Sequence, residues 1–221
     1  MVTNTISLQG KSLPARIGRL AVVGIMGACL SFGIGFPQAF AGPPTDSMKG
    51  TIDEVLRIIR DKELKQAAKA EERRSLLEKV VAERFDYQEM SRRALGAPWN
   101  QLSDKEKQEF VSLFQTLLTN SYAEKVESYS GEGVQYLNER TEKDYAEVRT
   151  KILSGKTEIP LDYRLINHGT DWRVYDVVVD GVSLVNNYRG QFTKILRSSS
   201  YPDLVDQLRK KSDKQIGRAH V

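Results

Sequence analysis

Residues 172–192, WRVYDVVVDGVSLVNNYRGQF, decide the fold. Val174, Tyr175, Val177, Val178 and Val179 are β-branched or aromatic at both parities, which marks a strand covered on both faces and placed centrally in its sheet. Asp180-Gly181 ends that strand at a bend where glycine tolerates a positive φ. Beyond the bend, Val182, Val185, Tyr188, Arg189 and Phe192 recur at helical spacing, and Ile195 and Leu196 continue the stripe. A strand that passes straight into an amphipathic helix forms the back wall of a pocket.

Immediately upstream the pattern is that of strands, over 134–140, 145–154 and 159–167, with the fourth at 171–180. In the second, Ala146, Val148, Thr150 and Ile152 alternate with Glu147, Arg149 and Lys151, so one face is buried and the other wet. Asn167-His168-Gly169-Thr170 reads as the hairpin loop between the last two. Further upstream the period becomes helical. Gly42-Pro43-Pro44 reads as a disordered leader before a helix at 46–60, whose stripe is Ile52, Val55, Leu56 and Ile59 and whose Thr51-Ile52-Asp53-Glu54 has capping-box spacing. Residues 62–70 are charged and alanine-rich, and a second helix carries Leu76, Leu77, Val80 and Val81 as far as Phe85. Asp86 caps a short helix bearing Tyr87, Met90, Ala94 and Leu95, which Gly96 ends. Ser103-Asp104-Lys105-Glu106 opens the longest helix, with Phe110, Leu113, Phe114, Leu117, Leu118, Tyr122 and Val126 on one face and Gly131 as its end. A terminal helix starts at Tyr201-Pro202-Asp203. Helices first and consecutive strands later predict an α+β fold, a curved antiparallel sheet of about four strands with helices massed on one face.

The ends are read separately. Lys11, Arg16 and Arg19 precede the apolar run 20–36, and Ala39-Phe40-Ala41 is a small-x-small cleavage site, so 1–41 reads as a secretory signal cleaved before Gly42. Met26-Gly27-Ala28-Cys29 resembles a lipoprotein box, but the apolar run continues past Cys29, which favours the later site. Gln215–Val221, QIGRAHV, resembles a translated sequencing adapter and is set aside, leaving 42–214 as a single domain. The net charge of +4 then vanishes: it equals Lys11, Arg16, Arg19 and Arg218, and the remaining 29 basic residues balance 29 acidic ones. A neutral domain offers no electrostatic case for nucleic acid. Cys29 is the single cysteine, so the exported domain has none, and a disulfide-free exported chain points to a Gram-negative periplasm.

Catalytic patterns are lacking. No nucleophile stands beside a base, no ligand spacing suits a metal, and Gly131-Glu132-Gly133 lacks the strand and following glycines of a dinucleotide loop. No cofactor is expected. His168 belongs to a hairpin loop, where solvent exposure is its ordinary fate. Asp176 interrupts an apolar strand. Buried, it requires an arginine or a tyrosine hydroxyl as partner, or a place at a pocket mouth; the other reading makes it a general base in a cone-shaped α+β enzyme.

FDYQEMSRRALG with Trp99, the FxxLFxxLLxxSY pattern from Phe110 to Tyr122, and the stretch 172–192 together resemble the MlaC, or toluene-tolerance, family over nearly the whole of the exported region. The resemblance implies a cone-shaped fold with an apolar cavity and a monomeric periplasmic protein. It implies that the protein holds a glycerophospholipid by its acyl chains, between a curved sheet and helices, with the head group in solvent. The implied partners are an inner-membrane ABC transporter with its MCE-domain subunit and an outer-membrane lipoprotein-porin complex, between which lipid is carried to maintain outer-membrane lipid asymmetry. A related branch would hold a hopanoid instead. Pairing Tyr163 with Tyr175 and Leu161 with Val177 would put Leu161, Tyr163, Tyr175, Val177 and Val179 on the lipid side with Val148 and Ile152. Trp172, Val174 and Val178 would then pack on the other side. Phe110, Phe114, Leu117 and Tyr188 would supply the helical wall.

Overall fold

The computed structural model describes residues 42–129 and 133–219. The expected signal segment 1–41, the helix end at Gly131 and the last two residues of the set-aside tail lie outside the described residues. Among those described, helices α1 (Pro43–Arg60), α2 (Ala70–Arg84), α3 (Tyr87–Leu95) and α4 (Asp104–Glu127) precede strands β1 (Gly133–Glu142), β2 (Tyr145–Ser154), β3 (Thr157–His168), β4 (Asp171–Val179) and β5 (Val182–Ser183). Helices α5 (Leu184–Leu196) and α6 (Tyr201–Ala219) follow. The five strands form one open antiparallel sheet in sequence order, as expected of an α+β chain whose strands are consecutive.

Local chemistry explains most boundaries. Asp86 accepts the Glu89 N–H at 2.8 Å as the cap of α3, and Gly96, at φ +71°, ends that helix. At α4 the capping box closes in both directions: the Glu106 carboxylate accepts the Ser103 N–H at 2.8 Å, and Ser103 Oγ accepts the Glu106 N–H at 3.3 Å. The start of α1 departs from expectation. Pro43 and Pro44 form its first turn rather than a disordered leader, and Thr51 lies inside it, its hydroxyl donating to the Ser47 carbonyl at 3.1 Å. Proline is preorganised for a first turn, and the cap comes from far away: the Glu139 carboxylate on β1 accepts the N–H groups of Gly42 and Thr45 at 3.1 and 2.9 Å.

The bend at 180–181 is tighter than a strand-to-helix corner. Asp180 (φ 49°) and Gly181 (φ 79°) both occupy the left-handed region, and Val179 pairs with Val182 across them. This is the Asp-Gly two-residue hairpin, in which positive φ at both positions matches the strand twist. Val182 therefore belongs to β5 and is exposed, and α5 starts at Leu184 with Ser183 Oγ accepting the Asn186 N–H. β4 is consequently not central. Among the described residues, only β5 and an isolated parallel bridge from Phe85 to Val174 lie beyond it, and the Asp86 N–H also reaches the Val174 carbonyl at 2.8 Å. These short segments bury a strand that would otherwise be an edge.

Candidate functional site

Two register changes settle which β4 side chains share a face. The β3–β4 turn is only Gly169-Thr170, because His168 pairs with Asp171. Further along, a bulge falls between the Arg164/Asp176 and Leu165/Val174 pairs, leaving Tyr175 as the extra residue. Tyr163 thus pairs with Val177 and Leu161 with Val179, not with Tyr175 and Val177 as expected. A bulge sets two successive side chains against one partner residue and reverses the parity beyond it. Hence Trp172 and Val174 lie on the same face as Val177 and Val179, while Tyr175 and Asp176 lie with Arg164 on the other.

The inner face of the sheet is apolar. Val148, Tyr163, Leu165, Trp172, Val174 and Val177 are buried in one cluster with Ala146, and Leu161 and Val179 pack against it half-buried. Ile152 stands opposite Val134 and Ile159 at the far end of the same face, half-buried. The cover is α1, whose Met48, Ile52 and Leu56 join the cluster. Arg84 fastens this cover: it donates to Thr51 Oγ1 on α1 at 3.0 Å and to the Asp171 carboxylate and the Trp172 carbonyl on β4 at 2.9 and 2.6 Å. Within the face stand two phenols. Burial pushes the Tyr136 hydroxyl up to about 12 and that of Tyr163 higher still. The Tyr136 hydroxyl is buried without a hydrogen-bond partner.

The expected helical wall is elsewhere. Phe110, Phe114, Leu117 and Tyr188 belong to an all-helical core with Met90, Trp99, Phe192 and Leu204, in which Phe114 lies 5.2 Å from Tyr188 and 5.6 Å from Phe192 between ring centroids. Phe110 and Phe114 are wholly buried there. Phe85 alone among these aromatics packs against both this core and the sheet cluster. The structure therefore gathers Val148, Ile152, Leu161, Tyr163, Val177 and Val179 on one face, sets the four helical residues in a separate core, and turns Tyr175 to the opposite side. There Tyr175 stacks under Arg93, 4.1 Å from guanidinium carbon to ring centroid, and meets Tyr145 edge-on. The sequence reading missed Met48, Ile52 and Leu56 as parts of the face. Their i, i+4, i+8 spacing was legible, but their partner was not. For Trp172 and Val174 the sequence holds no signal of the bulge.

Asp176 is buried and fully used. Its carboxylate accepts the Arg164 guanidinium at 3.1 Å, the Ser183 hydroxyl at 2.7 Å and the Val185 N–H at 3.1 Å. With both oxygens engaged in holding β3, β5 and the start of α5, this carboxylate is an anchor. His168 pairs with Asp86 at 2.8 Å, remaining half-exposed.

These features define an α+β domain with an open antiparallel sheet, one side of which is a broad apolar face roofed by one amphipathic helix. The model of the family described as MlaC protein matches residues 49–210, and the chain belongs to that family. It is similar to the intermembrane phospholipid transport system binding protein MlaC of Haemophilus influenzae, at 22% identity over 130 residues. That alignment takes in 56% of this chain and spans 61% of the relative's length. In structure it is similar to a phospholipid-binding protein from Ralstonia solanacearum, solved in complex with a phospholipid. The TM-score is 0.69 at 24% sequence identity, covering 78% of this chain and 98% of the other.

Proposed function

We propose that this protein is a periplasmic carrier that takes a glycerophospholipid from one membrane complex and hands it to another. The observation that carries the reading is the inner face of the sheet: a continuous apolar surface holding a buried phenol, Tyr136, with no partner. An unpaired buried hydroxyl is costly, and an acyl-ester carbonyl at the head of a lipid would satisfy it. The acyl chains would lie along Val148, Ile152, Leu161, Tyr163, Val177 and Val179, beneath Met48 and Ile52. Family membership supports the same assignment, as does the bound phospholipid of the Ralstonia protein.

Physical chemistry constrains how such a carrier works. At about 0.8 kcal/mol per buried CH₂, two chains with on the order of 30 methylenes gain roughly 24 kcal/mol on leaving water. Non-covalent affinities saturate near about 20 kcal/mol, so this is an upper bound. Release into free water would be very slow, and lipid moves only while the carrier is docked to a partner offering an apolar path. A bilayer buries the same chains nearly as well, so direction comes from the partners. Those we assign are the inner-membrane ABC transporter with its MCE-domain subunit and the outer-membrane lipoprotein-porin complex.

Native mass spectrometry of protein purified from a Gram-negative periplasm tests the reading. A mass increment that fragments to a glycerophospholipid supports it. A hopanoid would reassign the ligand, and protein carrying no lipid would refute the carrier.

A further inference from the structure

On the outer side of β4, away from the apolar face, lies a concavity of about 220 Å³. Its lining includes Arg93 from α3, Arg164 from β3, Asn186 and Arg189 from α5, and Tyr175 and Asp176 from β4. We propose that this pocket is a binding site for a phosphate group.

Charge comes first. Three guanidiniums line the pocket against one carboxylate, and that carboxylate is already hydrogen-bonded to Arg164, Ser183 and Val185. Arg93 spends its Nε on Glu89 at 2.7 Å, and Arg164 pairs with Asp176 through Nη1 at 3.1 Å and has its Nε 3.6 Å from the Glu147 carboxylate; both keep further N–H donors. Arg189 makes no ion pair or hydrogen bond among the described residues, and its guanidinium rests over the backbone of Gly96, with Nε 3.6 Å from where a Cβ would stand. A guanidinium left without a counter-charge, beside two others in one hollow, calls for an anion.

Geometry narrows the anion. Guanidinium forks match phosphate oxygens bidentately, and donors from three elements suit a tetrahedral oxyanion better than a carboxylate, whose acceptor sites all lie in one plane. Arg93 is held by Glu89 on one side and by the Tyr175 ring beneath it, so part of the site is preorganised and little ordering is needed on binding. The bulge in β4 creates the site: without it, Tyr175 and Asp176 would not both face Arg164.

The shared chemistry is a phosphate group, whether free or on a lipid head. In low-salt buffer at neutral pH, ³¹P NMR titration of the purified protein with inorganic phosphate should saturate with a millimolar Kd or tighter. Arg189→Ala should weaken binding at least tenfold, and Arg189→Lys should recover part of that loss, because the charge returns without the fork. Lys194→Ala, which removes one charge from the same helix outside the pocket, should change it less than twofold. Arg189 is exposed, and circular dichroism checks that the variants remain folded. The titration is then repeated after incubation with phosphatidylglycerol vesicles, with lipid uptake confirmed by mass spectrometry. Blocked phosphate binding assigns the site to a lipid head group, and unchanged binding to a free phosphate compound. Absence of saturable binding, or equal loss in the Arg189 and Lys194 variants, overturns the proposal. Neither result bears on the carrier reading, since the inorganic phosphate titration involves no acyl chain.

Discussion

Replacing Asp176 gives the sharpest test of how the sheet is tied to the helices. In Asp176→Ala the buried Val185 N–H loses its acceptor, Ser183 loses one partner, and Arg164 loses its closest counter-charge. Orphaning a buried donor costs about 1–3 kcal/mol, and breaking a buried ion pair by removing one partner costs about 3–5 kcal/mol. The Arg164 side chain is 36% exposed, against 4% for Asp176, so the arginine can rehydrate, which brings the expected total to about 3–4 kcal/mol. Asp176→Asn keeps an acceptor for Val185 but not the charge, and should cost about half as much. Urea unfolding monitored by circular dichroism measures both, with the change taken from the midpoint at constant m. A cycle with Arg164→Leu separates the ion pair from the hydrogen bonds to β5 and α5. A loss below about 1 kcal/mol for the alanine variant would refute the anchoring argument.

Three further outcomes follow from the geometry. Val177→Trp places an indole on the inner face opposite Tyr163; it should abolish lipid co-purification while leaving the protein folded, at a cost of about 1–3 kcal/mol, and retention of lipid would show the face to be misassigned. Phe114→Ala hollows the separate helical core, where the ring is wholly buried, and should cost about 3–5 kcal/mol in urea unfolding while the variant that folds still carries lipid. Acid should destabilise the fold through Glu89 and Asp171. Burial alone would raise both carboxyls, but the hydrogen bonds of Arg92 and Arg93 to Glu89, and the pairing of Arg173 and Arg84 with Asp171, hold them below 4.5 and 3.8. With folded values below unfolded ones, the unfolded state takes up protons first as pH falls, so this stabilisation is complete above about pH 5 and disappears through the depressed values. Melting temperatures from pH 7 to pH 3 measure it, and Glu89→Gln should flatten the acid limb.

Local patterns carried the class of fold. Alternation over 145–154 marks a strand with one wet face, the Ser103–Glu106 and Asp86 caps set helix starts, and Gly96 sets a helix end, because each depends on interactions spanning only a few residues. That Asp176, if buried, needs a partner was also legible, with an arginine, a tyrosine hydroxyl or a pocket mouth left open by the sequence; the structure supplies Arg164.

Long-range contacts decided the rest. Thr51-Ile52-Asp53-Glu54 has capping-box spacing within a helix read from 46, yet Glu139, more than ninety residues from Gly42 and Thr45 in sequence, accepts their N–H groups and the helix starts at Pro43. Tyr175 reads as one more member of an apolar strand, and only the pairing of β4 with β3 shows it to be the bulged residue. That extra residue keeps Trp172, Val174, Val177 and Val179 on one face and turns Tyr175 and Asp176 toward the arginines on the other. A strand apolar at both parities is compatible with either register, because its hydrophobicity does not distinguish the faces. The amino-acid sequence therefore determined that a sheet and amphipathic helices would form, through propensities acting over single turns and strands. Which side chains meet on the inner face was decided by tertiary pairing, because register depends on turn length and bulge position.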